Sequence, residues 1–318
     1  MAGRANWSDW KRVCELATQA ETAPGFDARR FFEQNLRPYA VLDSDGVADG
    51  LITGYYEPLL RGSRQRAKGF EQPVRGVPDD LLTIDLSSVF PELANKRVRG
   101  RLEGNKVLPY WTRAEIDARG GQLPAKTILY VDDAVELFFL QIQGSGRVEL
   151  PDGSMVRLNY ADQNGHPYHS IGRLLVERGD LRLEDASMQG IQAWARAHPK
   201  QLPELLNANP SYVFFREMPN SKGGPLGALG VPLTAERSIA VDTRSVPLGT
   251  PVFLATTQPN SSVPMNRLVV AQDTGGAIKG AVRADYFWGF GKQAGAQAGR
   301  MKQSGKMWLL LPAEVAPK

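Results

Sequence analysis

The sequence predicts a mainly β protein with a mixed α/β middle. Three observations carry this. Glycine (32) and proline (22) are abundant among the 318 residues, a composition of short strands and frequent turns and not of a helical bundle. After the Gly- and Ser-rich connector Asn220–Gly230, the readable patterns are strands alone, separated by Gly, Pro and Asn. Between about 60 and 218, helix and strand patterns alternate. The final stretch therefore reads as an all-β unit, closed or nearly closed. The length suits one or two domains with a sizeable core.

Two helices are expected at the start. Ser8 would cap the first, with Trp10, Val13, Cys14 and Ala17 on one face. The second covers Asp27–Asn35 and ends before Pro38. Strand patterns follow at Ala40–Leu42 and at Gly50–Tyr56, the latter stopped by Pro58. Thr112 and Glu115 have capping-box spacing, and Gly120-Gly121 end that helix. Asp132-Asp133 start another through Glu136 and Leu137 before QIQGSG turns the chain. Val148–Leu150 and Met155–Tyr160 flank the hairpin dipeptide Asp152-Gly153. Ser170–Arg178, Ser187–His198 and Gln201–Asn207 read as helices, and Ser211–Arg216 as a strand. Strands then follow at Ser238–Asp242, Pro251–Ala255, Arg267–Gln272 and Lys306–Leu311. If Leu51–Tyr56 belongs with these, the middle of the chain is an insertion.

A hydrophobic share of 42% and a charged share of 23% are ordinary for a folded soluble chain. The net charge is +4. The basic residues form no stripe, which argues against nucleic acid. The denser runs Arg61–Lys68 and Lys96–Arg101 read as solvated loops. A diffuse positive field also suits an anionic polymer. The single cysteine, Cys14, excludes an internal disulfide and reads as a small core residue. Lys11-Arg12-Val13 ahead of it do not make a lipid-attachment signal, and MAGRANWSDW has no apolar signal core. No apolar run approaches the roughly 20 residues of a membrane span. The protein is then either cytoplasmic or separated here from its export segment.

The chemistry concentrates in Gln272–Gly299, QDTGGAIKGAVRADYFWGFGKQAGAQAG. Asp285 is followed at once by Tyr286, Phe287 and Trp288. A carboxyl beside flat rings suits a sugar polymer, since rings hold the sugar and the acid protonates its bridge. An aspartic acid titrates near 3.9 in water, so holding its proton near neutrality requires burial among apolar neighbours. The plain alternative for Asp285 is a turn cap. Asp273 ends the strand Val269-Val270-Ala271 and reads as a group that orients the site or raises Asp285, against a plain turn role. Asp242 ends Ile239-Ala240-Val241, and for it the turn role leads. Gly275–Gly280 lacks the ending of a phosphate loop, and Asp273 would repel phosphate. Its glycines suit close approach of backbone to a ligand. His166 and His169 have no metal-ligand spacing, and no metal or cofactor is expected.

This set of aspartates resembles the three-aspartate domain of the membrane-bound lytic murein transglycosylase A family. The likeness extends through Gly54–Pro58 (GYYEP), Gln143–Gly146 (QGSG), Tyr160–Arg173 and Ser211–Glu217. The resemblance implies a double-psi β-barrel, residues 1–59 and 219–318, interrupted by a smaller α+β substrate-binding domain, residues 60–218, with a groove between them. It implies cleavage of the β-1,4 bond between N-acetylmuramic acid and N-acetylglucosamine in peptidoglycan. Asp285 falls at the family's essential acid and Asp273 beside it. The 6-hydroxyl of the muramic acid attacks its own anomeric carbon, so a second catalytic carboxylate is dispensable. Expected substrate contacts are Tyr55, Tyr56, Gln143, Gly144, Ser145, Tyr160, Asn164, Tyr168, Asp242, Gly276, Lys279 and Trp288, although core packing is the default for each aromatic. Glu57 departs from the small hydroxyl residue of some members. The resemblance further implies a monomer acting on glycan strands at the periplasmic face of a Gram-negative outer membrane. It would be anchored there by a lipid on a segment absent from this sequence, with a cell-wall synthesis complex as a further partner. Three rivals stand beside this reading. Asp273-Thr274-Gly275 is the aspartic-protease tripeptide, but Asp242-Thr243-Arg244 lacks the matching glycine. A hydrolase and a non-catalytic glycan-binding module are the others.

Overall fold

The computed structural model describes residues 6–315 apart from 22–23, 94–95, 97 and 220–222. The opening MAGRA, Arg97 of the second basic run and residues 220–222 of the connector lie outside the described residues. The chain forms two units, one of Met1–Tyr56 and Leu226–Lys318, the other of Glu57–Pro225.

In chain order, α1 (Trp7–Glu21), α2 (Ala28–Asn35), β1 (Leu36–Ala40) and β2 (Gly50–Glu57) come first. The second unit adds β3 (Leu59–Ser63), β4 (Gln72–Arg75), β5 (Leu82–Thr83), β6 (Arg99–Glu103), β7 (Lys106–Pro109), α3 (Arg113–Arg119), β8 (Thr127–Val131) and α4 (Ala134–Gln143). It continues with β9 (Ser145–Glu149), β10 (Met155–Gln163), α5 (Ile171–Glu177), α6 (Met188–Ala197), α7 (Leu202–Asn207) and β11 (Val213–Met218). The first unit resumes with β12 (Ser238–Val241), β13 (Pro251–Thr257), β14 (Pro264–Asp273), β15 (Arg283–Phe290), α8 (Gly291–Ala298) and β16 (Lys302–Pro312).

Local chemistry explains most boundaries. Asp27 caps α2 by accepting from the Arg30 N–H. Thr112 and Glu115 form the reciprocal box that starts α3. Asp133 accepts from the Val135 and Glu136 N–H groups, and Gly144 ends α4 in the left-handed region. Ser170 and Ser187 cap α5 and α6. Four expectations fail. The helix α1 begins at Trp7, so Ser8 lies inside it. Cys14 is exposed, while Trp10 of the same helix packs on the unit's core. The strand β1 lies earlier than expected, across Pro38. It pairs with β16 alone, and an edge strand tolerates the missing N–H. The final stretch is not strands alone, because α8 forms in its Gly/Ala-rich segment.

The first unit closes on itself. Its strands run in the order β1-β16-β13-β14-β12-β15-β2, and β2 also pairs with β16. Six strands thus complete a ring, with β1 added outside it. The long β16 makes this possible by changing partner along its length. Lys302–Gly305 pair with β2, and Trp308–Pro312 pair with β1. The pair β12–β14 is parallel, and β12–β15 is antiparallel. Ile52, Ile239, Val252, Leu254, Val269, Tyr286 and Met307 fill the interior. In the second unit a six-stranded sheet, β11-β10-β9-β3-β8-β4, packs Leu60, Leu129, Val148 and Leu158 against Leu140 of α4. Phe138, Leu175, Trp194 and Leu205 form a helical core.

At the closing seam Gly50 faces Gly305. A Cβ on Gly50 would sit 1.7 Å from the Val282 carbonyl oxygen. Gly50→Ala is expected to cost about 2–3 kcal/mol through forced backbone shifts. Gly121→Ala, in open space, should stay within about 0.5 kcal/mol. Urea midpoints of the two variants provide the comparison.

Candidate active site

Side chains alternate along a strand. On β2, Ile52 faces the interior while Thr53 and Tyr55 share the other face. On β15 the same alternation puts Tyr286 inside and Asp285 beside Phe287 on the outer face. The neighbouring strands bring these faces together. Thr53 Oγ1 donates to Asp285 Oδ1 at 2.6 Å. Tyr55 Oη donates to Asp273 Oδ2 at 3.0 Å. Ala240 of β12 lies opposite Asp285. Tyr55, Leu233, Ala240, Ile278 and Phe287 form one buried apolar cluster at this face, with the Tyr55 and Phe287 rings 5.1 Å apart.

The three aspartates experience different surroundings. Burial pushes Asp285 up to about 6, against the Thr53 hydrogen bond and the Arg283 charge, which lower it, while Asp273 raises it further. Its one bonded oxygen meets a neutral hydroxyl. Arg283 reaches that hydroxyl, with Nη2 at 2.9 Å from Thr53 Oγ1. Burial also raises Asp273, opposed by hydrogen bonds from the Thr274 and Ala228 N–H groups and the Tyr55 phenol. Burial, then Asp273 and Asp285, hold the Tyr55 phenol protonated far above its usual range. Asp242 is the opposite case. Arg244 grips both its oxygens, at 3.0 Å and 2.6 Å, and Gly280 N–H donates to Oδ2 at 2.9 Å. These bonds hold its carboxyl well below the usual range. Asp242 is therefore committed to fixing the loop 274–282, and its oxygens are not available to a sugar.

Other expected contacts divide. Gly276 and Lys279 are exposed on that loop, while Ile278 turns inward. Tyr56 packs under α8 with Ala294 and Ala298. Trp288 meets Tyr286 edge-on at 5.0 Å, with its Nε1–H 3.2 Å from the Met301 sulfur. Neither ring is a free platform, because alternation turns both away from Asp285. In the second unit, Gly144 caps α4 and its carbonyl accepts from Tyr160 N–H at 2.7 Å. Gln143 ends α4, and Ser145 is buried at the start of β9. Tyr160 is half-buried against that unit's sheet core. Asn164 is wholly engaged. Its Nδ2 donates to Trp111 O and Pro210 O, both at 2.8 Å, and its Oδ1 accepts from Tyr212 N–H at 2.9 Å. It is a staple and not a sugar contact. Tyr168 is 47% exposed. Glu57 is buried against Arg147 at 2.9 Å. Thr53, Arg283, Leu233 and Ile278 were missed by sequence reasoning. The alternation Thr53–Gly54–Tyr55 was the one available signal for Thr53.

Residues 51–216 match a family described as the MltA specific insert domain, and residues 237–311 match the 3D domain. Over 305 residues the chain is 34% identical to membrane-bound lytic murein transglycosylase A of Escherichia coli, covering 93% of this chain and 75% of that protein. A crystal structure of MltA from Neisseria gonorrhoeae is similar with a TM-score of 0.86 at 44% identity, covering 98% of this chain and 85% of that one. A crystal structure of Escherichia coli MltA with bound chitohexaose is similar with a TM-score of 0.73 at 28% identity, covering 96% of this chain and 83% of that one.

A carboxyl raised on folding stabilises the fold fully below its unfolded value near 3.9. That contribution is lost as pH rises through about 6. Asp285→Asn removes the loss. It should raise stability at pH 8 by on the order of 2 kcal/mol and change it little at pH 4. Urea titrations at the two pH values test this, and equal effects at both would contradict the raised carboxyl.

Proposed function

The chain belongs to the membrane-bound lytic murein transglycosylase A family, and from that premise we propose that Asp285 alone acts as acid and then as base. The protein is a peptidoglycan lytic transglycosylase. The supporting observation is a partly buried carboxyl, raised to about 6 and hydrogen-bonded by a neutral hydroxyl. Such a group keeps a usable share of both protonation states near neutrality.

Protonated Asp285 gives its hydrogen to the oxygen bridging N-acetylmuramic acid and N-acetylglucosamine. The bond from that oxygen to the anomeric carbon breaks, and its electron pair stays on the departing oxygen. The 6-hydroxyl of the same muramic acid forms the new bond to the anomeric carbon. The Asp285 carboxylate takes the hydroxyl hydrogen, which restores the acid and leaves a 1,6-anhydro end. No water enters. Proximity within one sugar replaces an activated nucleophile. Asp273, fixed by two N–H groups and Tyr55, raises Asp285 by its charge. Positive charge developing at the anomeric carbon is offset by the two carboxylates.

The six-stranded ring is read as a double-psi β-barrel carrying the chemistry, and Glu57–Pro225 as a glycan-binding insert. Tyr55 takes part through Asp273. Gly276 and Lys279 on the exposed loop, with Gln143, Gly144, Ser145, Tyr160 and Tyr168 of the insert, are the assigned sugar contacts. Peptidoglycan glycan strands are the partner. Among the described residues no helix is long and apolar enough to cross a membrane. The native protein is assigned to the periplasmic face of the outer membrane, held there by lipid.

Digestion of purified glycan strands should give products one water lighter than hydrolysis products, read by mass spectrometry. The ratio kcat/KM should fall above about pH 6 as Asp285 ionises. Asp285→Asn should lower cleavage by about 10²–10⁴-fold while strand binding persists. Ordinary reducing ends would make the protein a hydrolase. Binding without any cleavage by the wild type would make it a binding module.

A further inference from the structure

The groups around Asp285 do more than mark it as the acid, an inference that rests on the reaction proposed above. Thr53 Oγ1 lies between a cation and the carboxyl. It accepts from Arg283 Nη2 at 2.9 Å and donates to Asp285 Oδ1 at 2.6 Å. A guanidinium has donors and no acceptor, and a hydroxyl has one hydrogen. With Arg283 directed at the Thr53 oxygen, the hydroxyl hydrogen is left to point at Asp285. Arg283 is itself fixed, since Nη1 donates to Ala284 O at 2.5 Å and to Leu51 O at 3.4 Å.

We infer that Arg283 and Thr53 form a positioning relay that holds Asp285 Oδ1 as an acceptor and confines the catalytic proton to Oδ2. One atom of the carboxyl then performs both proton steps. Oδ2–H protonates the bridging oxygen, and the same Oδ2 receives the hydrogen of the 6-hydroxyl. Meanwhile Oδ1 keeps its bond to Thr53 throughout, and the carboxyl does not rotate between steps. The Thr53 bond shortens and strengthens when the carboxyl ionises, because an O–H donor binds a carboxylate more tightly than a neutral acid. The relay therefore favours the first step, in which Asp285 gives up its proton and becomes a carboxylate. It opposes burial and the Asp273 charge, which favour return of a proton to Asp285 in the second.

The groups facing the carboxyl come from four strands. Tyr55 on β2 is held protonated. Asp273 ends β14 and supplies negative charge. Arg283 lies on β15 itself, and Ala240, opposite on β12, carries no charge. Thr53 is thus the group that passes the Arg283 cation's influence to one chosen oxygen. It touches the acid and not the sugar, so it is a positioning residue.

Thr53→Val keeps the shape and removes the hydroxyl. With purified glycan strands, the descending limb of its kcat/KM profile should move to higher pH by about one pH unit, the size of one charge-assisted hydrogen bond. Its kcat should fall by about tenfold or more. The carboxyl carbon of Asp285, observed by 13C NMR and assigned with Asp285→Asn, should titrate higher by the same amount. Thr53→Ser should return the limb and the titration to wild-type positions. Arg283→Lys keeps the charge and loses the fork, and should move both in the direction of Thr53→Val. A folded Thr53→Val whose titration and limb match the wild type overturns the relay, as does a normal profile in Arg283→Lys. If Thr53→Val does not fold, Arg283→Lys and Thr53→Ser decide. The carbon titration needs no turnover. A moved titration together with no anhydro product from the wild type would sink the reaction and leave the hydrogen-bond relay standing.

Discussion

The pairing of β2 with β15 joins residues far apart in the chain, setting the Thr53 hydroxyl on a carboxyl 232 positions later. The next residue on that face, Tyr55, reaches Asp273 across 218 positions. Both contacts come from one strand at a spacing of two, the repeat of a pleated strand. Closure of the ring is what makes them possible. Were β2 absent from the seam, Asp285 would keep its apolar cover from Ala240 and lose the hydrogen bond from Thr53. The barrel is thus less a container than a means of pressing one strand's hydroxyls against two other strands' carboxyls.

The aspartates illustrate how surroundings and not residue type decide chemistry. Asp242 has a guanidinium on both oxygens and stays ionised, so it serves as a rivet for the loop that carries Ile278 inward. Asp273 is surrounded by N–H groups and a phenol, whose hydrogen bonds oppose the burial that raises it. Asp285 has apolar cover and one hydroxyl, and is the one left poised. The loop from β14 to β15 therefore couples all three. Its anchor is Asp242, its origin is Asp273, and its end delivers Asp285.

Much of this was legible where the determinants are local. The caps at Asp27, Thr112, Asp133, Ser170 and Ser187 each act within three residues. The strands Ser238–Val241 and Pro264–Asp273 announce themselves by β-branched and apolar runs. What escaped depends on distant partners. Trp288 looks like a sugar platform beside Asp285, yet a spacing of three on a strand puts it on the opposite face, against Met301. Asn164 looks like a ligand-facing amide in a polar loop, and its role as a staple appears only when Trp111, Pro210 and Tyr212 converge on it. Cys14 looks apolar enough for a core, but Trp10 takes that place on α1. Thr53 carries no motif at all, and its meaning arises only when the ring closes.

Because the repeat is two, a slip of one residue along β2 would turn Thr53 and Tyr55 inward and bring Gly54 and Tyr56 to the aspartates. The register of this strand must therefore be held more firmly than hydrogen bonding alone provides. Glycines do this by close approach. Gly50 sits against the Val282 carbonyl, Gly54 sits against the Trp288 indole, and Gly305 sits over Ile52. At each, the space left for a side chain is already filled, so a slipped register would drive Leu51 or Thr53 into backbone or ring. The same strand is where the chain leaves for the insert, at Glu57. Lengthening a connection from about ten to well over a hundred residues costs only about 2 kcal/mol in closure entropy, and a folded insert costs less. A strand that is both wall of the ring and point of departure can stay in register because its glycines, and not the length of its connection, determine where it stops.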